Sequence, residues 1–471
     1  TSPDDPTAGG DGCGGGAGPE PAMAQYRLHT LAASVHITDT PVGYAAAAGP
    51  DVRVRVAYNQ REASQPGAMD FSNFGPEFVS NWVSYLVDDT GNAAADVTLR
   101  KRGGGGEVHG SFDVGTSSYA RQPKTGAVLT RLTADTYKKV YPDGRTEFYE
   151  RYIGTTGSVR KVFLSRVVDP QGREVTLAYD TDPQYPARIH SIVDATGLPT
   201  VFEYTYPAEP YLVTAITDPF GREAQFTYTP VGGFPHLQSI TDTFGIVSSF
   251  GYNDEGKIVA MTTPYGTTRF GLSPLFVDGA ELGYTLIRYV EVTDPLGQKE
   301  RLEYNVSSQL TGVPPALESP YPDPTLVDFA YDDNDDRNTF YWGKLAVKLA
   351  PGDYSKAHRY HWVQPSNADV ATSILESEVP ALESRIFYNY PGQPEPSIQG
   401  TLTSPSVVAR VVKDAAGAEH TQATRYEYNA QGNRTKTTDP LGRQTLLEYA
   451  ANGIDVVAVK QRTGGTVEAP V

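Results

Sequence analysis

The chain has 471 residues, 39% hydrophobic and 20% charged, with a formal net charge of −17 and a pI near 4.9. An acidic surface repels nucleic-acid phosphates and anionic membranes, so neither is an expected partner. The single cysteine, Cys13, excludes an intrachain disulfide, and no apolar run approaches the ~20 residues of a spanning helix.

Residues 1–22 are Gly, Pro and Asp with almost no apolar side chains, which reads as a flexible leader. The start at Thr1 rather than Met fits a processed or excised fragment. Residues 23–160 read as an N-terminal β region. In DVRVRVAYN, Val52, Val54 and Val56 alternate with Arg53, Arg55 and Ala57, giving one apolar and one largely charged face. VTLRKRGGGGEVHGSF predicts a hairpin over its Gly-rich turn, and YKKVYPDGRTEFYERY another around Pro142-Asp143-Gly144.

From residue 161 to 304 one unit repeats. Asp169, Asp194, Asp218 and Asp242 stand 25, 24 and 24 residues apart, and Asp294 follows after about two periods. A degenerate unit, TTPYGTTRF, and a small insertion at 272–281 fill that interval. Each Asp is followed three residues later by Gly172, Gly197, Gly221, Gly245 or Gly297, and seven residues after that by Tyr179, Tyr204, Tyr228, Tyr252 or Tyr304. Residues 425–471 return to the pattern with Asp439, Gly442 and Tyr449. The Asp carboxylate can bond a backbone N–H, a following Pro presets φ, and Gly suits the turn's end. After the Gly, Leu177, Phe202, Phe226, Phe250, Leu302 and Leu447 share the tyrosines' parity, while the intervening positions are mostly polar. That is a strand with one buried face. Each period of ~24 residues is then two strands and two turns. Asp and Gly set the turn; Tyr locks the next strand, its ring buried and its hydroxyl needing a partner. Residues 305–424 lack the clear signature and read as degenerate repeats or an insertion. No long segment has helical periodicity, so an all-β antiparallel fold is expected.

These units resemble the YD-repeat, or RHS, family. RYEYNAQGNRTKTTDPLGR shows the second half of the unit, and Tyr58-Asn59-Gln60-Arg61, Phe74-Gly75-Pro76 and Trp82 look like the segment that opens the array in bacterial RHS proteins. The resemblance covers roughly 52–304 and 424–459. It implies a spiral sheet wound into a hollow shell or tube, as in teneurins and insecticidal toxin complexes, with a C-terminal cargo inside some members. Nothing here matches the self-cleaving segment that closes such shells, so the chain reads as wall without plug, protease or toxin.

Other chemistry is weakly signalled. YDDNDDRNTF could offer Asp332, Asn334 and Asp336 to calcium, but Arg337 stands where a tight calcium loop needs Gly, so a solvated acidic loop is expected. His358 and His361 would point to opposite faces of a strand, which disfavours zinc. Asn305 and Asn433 begin glycosylation triplets of a kind that arises often by chance. No catalytic, cofactor or metal residues are singled out. The expected function is a non-enzymatic structural or encapsulating wall, secreted or on a cell surface. Its partners would be the remainder of a longer chain, copies of itself, an enclosed cargo or surface glycans. An extracellular adhesion module binding carbohydrate or a partner protein is the alternative.

Overall fold

Alternating apolar residues and closely spaced turns give strands almost throughout the computed structural model of the chain. It describes residues 23–62, 65–273, 287–305, 321–329, 331, 337–364, 372–381, 383–463 and 468–470. The leader and the acidic stretch 332–336 therefore lie outside the described residues, as does most of the 272–281 insertion. Among the described residues the helical elements are α1, Lys344–Leu349, and a single 3-10 turn, Tyr354–Lys356.

A small antiparallel sheet comes first: β1 (Gln25–His29), β2 (Ser34–Tyr44), β3 (Val52–Asn59) and β4 (Phe78–Ser80), paired in that order. The register of β2 against β3 shifts between Asp39 and Val42, where Pro41 cannot donate to the ladder. The hairpins expected on either side of the Gly-rich turn and of Asp143-Gly144 follow. They are β6 (Val97–Arg100) with β7 (Gly106–His109), and β9 (Tyr137–Val140) with β10 (Thr146–Thr156). The strand β5 (Tyr85–Asp89) precedes the first hairpin, and β8 (Val128–Arg131), which pairs with β9, lies between the two.

From β10 onward each strand pairs antiparallel with the next in sequence, to Glu468–Pro470. The strand β11 (Val159–Val168) is a junction. Its start pairs with β5 and its end with the first repeat strand, Glu174–Tyr179. The described strands of residues 305–424 do not leave this meander. Asn338–Trp342, His358–Trp362, Leu375–Val379, Ile386–Asn389 and Val407–Lys413 continue it strand by strand. The far end then curls back onto the early hairpins. Arg121 Nη1 donates to Gln431 O at 3.0 Å, Thr403 N to Pro123 O at 2.9 Å, and Asn433 Nδ2 to Pro142 O at 3.1 Å.

Behind the repeat strands the structure lays the β1–β4 sheet, a layer that the sequence reading had not placed. Val35, Ile37, Val52, Val54 and Val56 share one buried core with Ile192, Phe202, Ile216, Phe226, Ile240 and Phe250. The reason is the hydrophobic effect: bare columns of Leu and Phe would leave a large apolar face in water. Aromatic contacts fix the alignment. Phe74 meets Phe226, Phe78 meets Phe250 and Tyr26 meets Phe270, with ring centroids 4.9, 5.5 and 5.6 Å apart.

Candidate functional site

The repeat unit is a joint built from one turn and one tyrosine. In each turn the Gly N–H donates to the Asp carbonyl three residues back, at 2.9–3.0 Å for Gly172, Gly197, Gly221, Gly245, Gly297 and Gly442. All six glycines have φ between 76° and 88°, where a Cβ is disfavoured. This left-handed residue closes a hairpin with a bulge, a stricter requirement for Gly than the turn's fourth position alone.

The Asp side chain holds the turn from within. Asp218 Oδ1 accepts from Phe220 N at 2.9 Å and Arg222 N at 3.0 Å, while Arg222 Nε donates to Oδ2 at 2.7 Å. Asp169 and Asp439 bind Arg173 and Arg443 in the same way. Asp194, Asp242 and Asp294 make the two backbone bonds without an arginine. Burial pushes the Asp194 carboxyl up, but the bonds from Leu198 N, Thr196 and Tyr44 outweigh it and hold its pKa below the usual range.

The tyrosines tie strand to strand. Tyr179, Tyr204, Tyr228, Tyr252 and Tyr449 each donate the phenolic hydroxyl to the carbonyl 15 residues earlier: Leu164, Ile189, Val213, Leu237 and Arg434, at 2.5–2.8 Å. The register shifts immediately before Tyr179, Tyr228, Tyr252 and Tyr449, so each lies just past a bulge. Burial drives the phenol pKa of Tyr228 well above its ordinary value, so it stays a donor. Tyr304 is buried beneath the Arg288 guanidinium, which lies 4.4 Å from the ring centre. The fifth-offset residues Leu177, Phe202, Phe226, Phe250 and Leu302 are buried; Leu447 and Tyr449 are only half-buried.

Two joints escaped the sequence reading. Asp414 Oδ1 accepts from Ala416 N and Ala418 N, and Gly417 has φ 84°, which makes Asp414-Ala-Ala-Gly417 a repeat turn without Pro. Tyr390 OH donates to Leu375 O, again 15 residues back, at 2.6 Å. An Asp-x-x-Gly search without the Pro requirement finds the first; no Asp turn precedes the second. Asn253 and Asn429 also replace Asp, accepting from the N–H groups two and four residues ahead.

The opening residues that carried the resemblance make the seam between the two layers. Tyr58 OH accepts from Ile258 N at 3.1 Å, and Trp82 Nε1 donates to Arg53 O at 2.8 Å. A Cβ on Gly75 would stand 2.9 Å from Pro235 O, and its φ is 90°, so only Gly fits this close approach. Tyr44 OH donates to Asp194 Oδ2 at 3.0 Å, joining the inner sheet to a repeat turn.

The other candidates take structural places. His358 Nε2 lies 2.9 Å from Glu378 Oε2, while His361 Nε2 lies 3.3 Å from Glu376 Oε2, so each ring has its own carboxylate. Among the described residues no three His, Cys, Asp or Glu side chains converge as metal ligands. Asn305 is 1% exposed, closed to a glycan in the folded chain. Asn433 bonds Pro142 O and Gly453 O.

No curated protein matches the chain. Among solved structures it is similar to a TcdB2–TccC3–Cdc42 crystal structure at 11% identity and a TM-score of 0.28, covering 90% of this chain and 20% of that one. A TcdB2–TccC3 structure without its hypervariable C-terminal region matches at 10% identity and a TM-score of 0.27, with the same coverage. The Photorhabdus luminescens Tc holotoxin pore matches at 9% identity and a TM-score of 0.23, covering 91% of this chain and 24% of that one. The chain thus spans about a fifth of the first two. A family model described as RHS Repeat matches residues 410–444, which hold the Asp414, Asn429 and Asp439 turns. Residues 410–444 thus match an RHS repeat, the unit that the sequence reading also found at Asp439-Gly442-Tyr449.

Proposed function

We propose that this chain is a non-enzymatic wall segment of a secreted or cell-surface enclosure, completed by further chain or by copies of itself, in the manner of a toxin-enclosing shell. The observation that carries the reading is the recurring tyrosine bond. It spends the polar end of each aromatic on the neighbouring strand's backbone, leaving the column no free hydroxyl face for a ligand. Electron microscopy of the protein as its cells make it tests this. A β-walled particle with this segment in the wall is expected; a dispersed monomer would contradict it.

A second reading, an adhesion module, draws on the turn tips. Phe220, Phe244, Leu296 and Leu441 occupy the third position of their turns and are 62–83% exposed. Partner binding that is lost on Phe244→Ser while folding is retained would favour it.

A further inference from the structure

The inner sheet has a second face, exposed at Gln25 and Arg27 of β1 and half-buried at Arg53, Arg55 and Asn59 of β3. Arg27 of β1, His36 of β2 and Asn59 of β3 are register partners in one row across the sheet. That row lines a cavity of about 450 Å³, roofed by residues of the β6–β7 and β9–β10 hairpins. The size is that of a small-molecule site, ~300–1,000 Å³. Seven Lys or Arg residues line it against four Asp or Glu, an excess of three positive charges in a chain of net charge −17.

The lining carboxylates are largely accounted for. Glu107 takes Lys139 at 2.6 Å, Glu147 lies 3.6 Å from Arg102, and Glu62 accepts from Gly105 N at 2.8 Å. Among the described residues, Arg27, Arg61 and Lys101 have no carboxylate partner. Arg61 Nε is buried without any hydrogen-bond partner. Arg61 is half-buried, and taking its charge out of water without a partner costs free energy that a bound anion recovers. At the rim, Gly103 has no protein atom within 4 Å of where a Cβ would stand, so a ligand can approach its backbone closely.

We infer that this cavity binds a compact multivalent oxyanion, a small molecule with two or more phosphate or carboxylate groups, through Arg27, Arg61 and Lys101. Arg61 and Arg27 hold guanidinium forks suited to paired oxygens, and Lys101 supplies a point charge. The site is independent of the wall reading, because it lies on the face of the inner sheet opposite the repeat columns.

The test is calorimetric titration of the 471-residue chain with tripolyphosphate and with citrate, at low salt and at about 0.5 M salt. One-to-one binding to at least one probe is expected, and the stronger probe tells phosphate from carboxylate recognition. Arg27→Gln and Lys101→Gln should each weaken it about tenfold or more, the loss of one charge-assisted hydrogen bond. Lys413→Gln removes the same charge from the exposed end of a strand and should leave binding unchanged. The bound probe should also raise the thermal midpoint of the parent chain more than that of either cavity variant. No binding of either probe, several equivalent sites, or equal weakening in Lys413→Gln would overturn the proposal.

Discussion

At the scale of single residues, the joint divides its work between a carboxylate and a phenol. Tyr228→Phe removes only the bond to Val213 O and should cost about 1 kcal/mol. Tyr228→Ala also removes the ring packed on the core and should cost about 3 kcal/mol. Chemical denaturation measures both; a change within ~0.5 kcal/mol for the alanine variant would place Tyr228 among ordinary surface residues. At the turn, Asp218→Asn should be mild, under about 1 kcal/mol, because Asn253 and Asn429 already hold equivalent turns with an amide oxygen. Asp218→Ala loses both backbone bonds as well as Arg222 and should cost about 1–2 kcal/mol. Equal losses in the two variants would assign the effect to the ion pair instead. Much of this was legible in the sequence, since Asp, Pro and Gly act on the chain within four residues of themselves. The bulge before each tyrosine was not, because it depends on the partner strand.

At the scale of elements, the β6–β7 and β9–β10 hairpins carry a buried charge pair that makes stability depend on pH. Burial pushes the Glu107 carboxyl up, but His109 and Lys139 outweigh it and hold its pKa at about 2. The folded value is below the unfolded one, so this stabilisation is present above the ordinary carboxylate range. It is lost as pH falls from about 4.5 to about 2, on the order of 3 kcal/mol in all. Glu107→Gln should flatten that part of the acid-unfolding profile. An unchanged profile would show that other carboxylates govern it. The strands themselves were legible from period two, and both early hairpins from their glycines. What β1–β4 covers was not. The seam joins Tyr58 to Ile258 and Tyr44 to Asp194, 200 and 150 residues apart, and no local pattern announces such a pairing. Residues 305–424 hid their strands for another reason: Tyr390 keeps the 15-residue bond without an Asp-Pro turn before it.

At the scale of the molecule, the wall is finished unevenly. Columns from Leu177 to Leu302 are buried, those before Phe270 largely under the inner sheet, whereas Leu447 and Tyr449 are half-buried and Val457 is 63% exposed. The apolar face that the sequence promised for 425–471 is therefore present but uncovered among the described residues. Exposed apolar faces and strand edges favour association. The most direct test of a wall segment is sedimentation velocity of the 471-residue chain over a concentration series. Larger species should grow with concentration, and Val457→Lys should shift the distribution back toward monomer. A stable, folded monomer at every concentration would contradict the wall account.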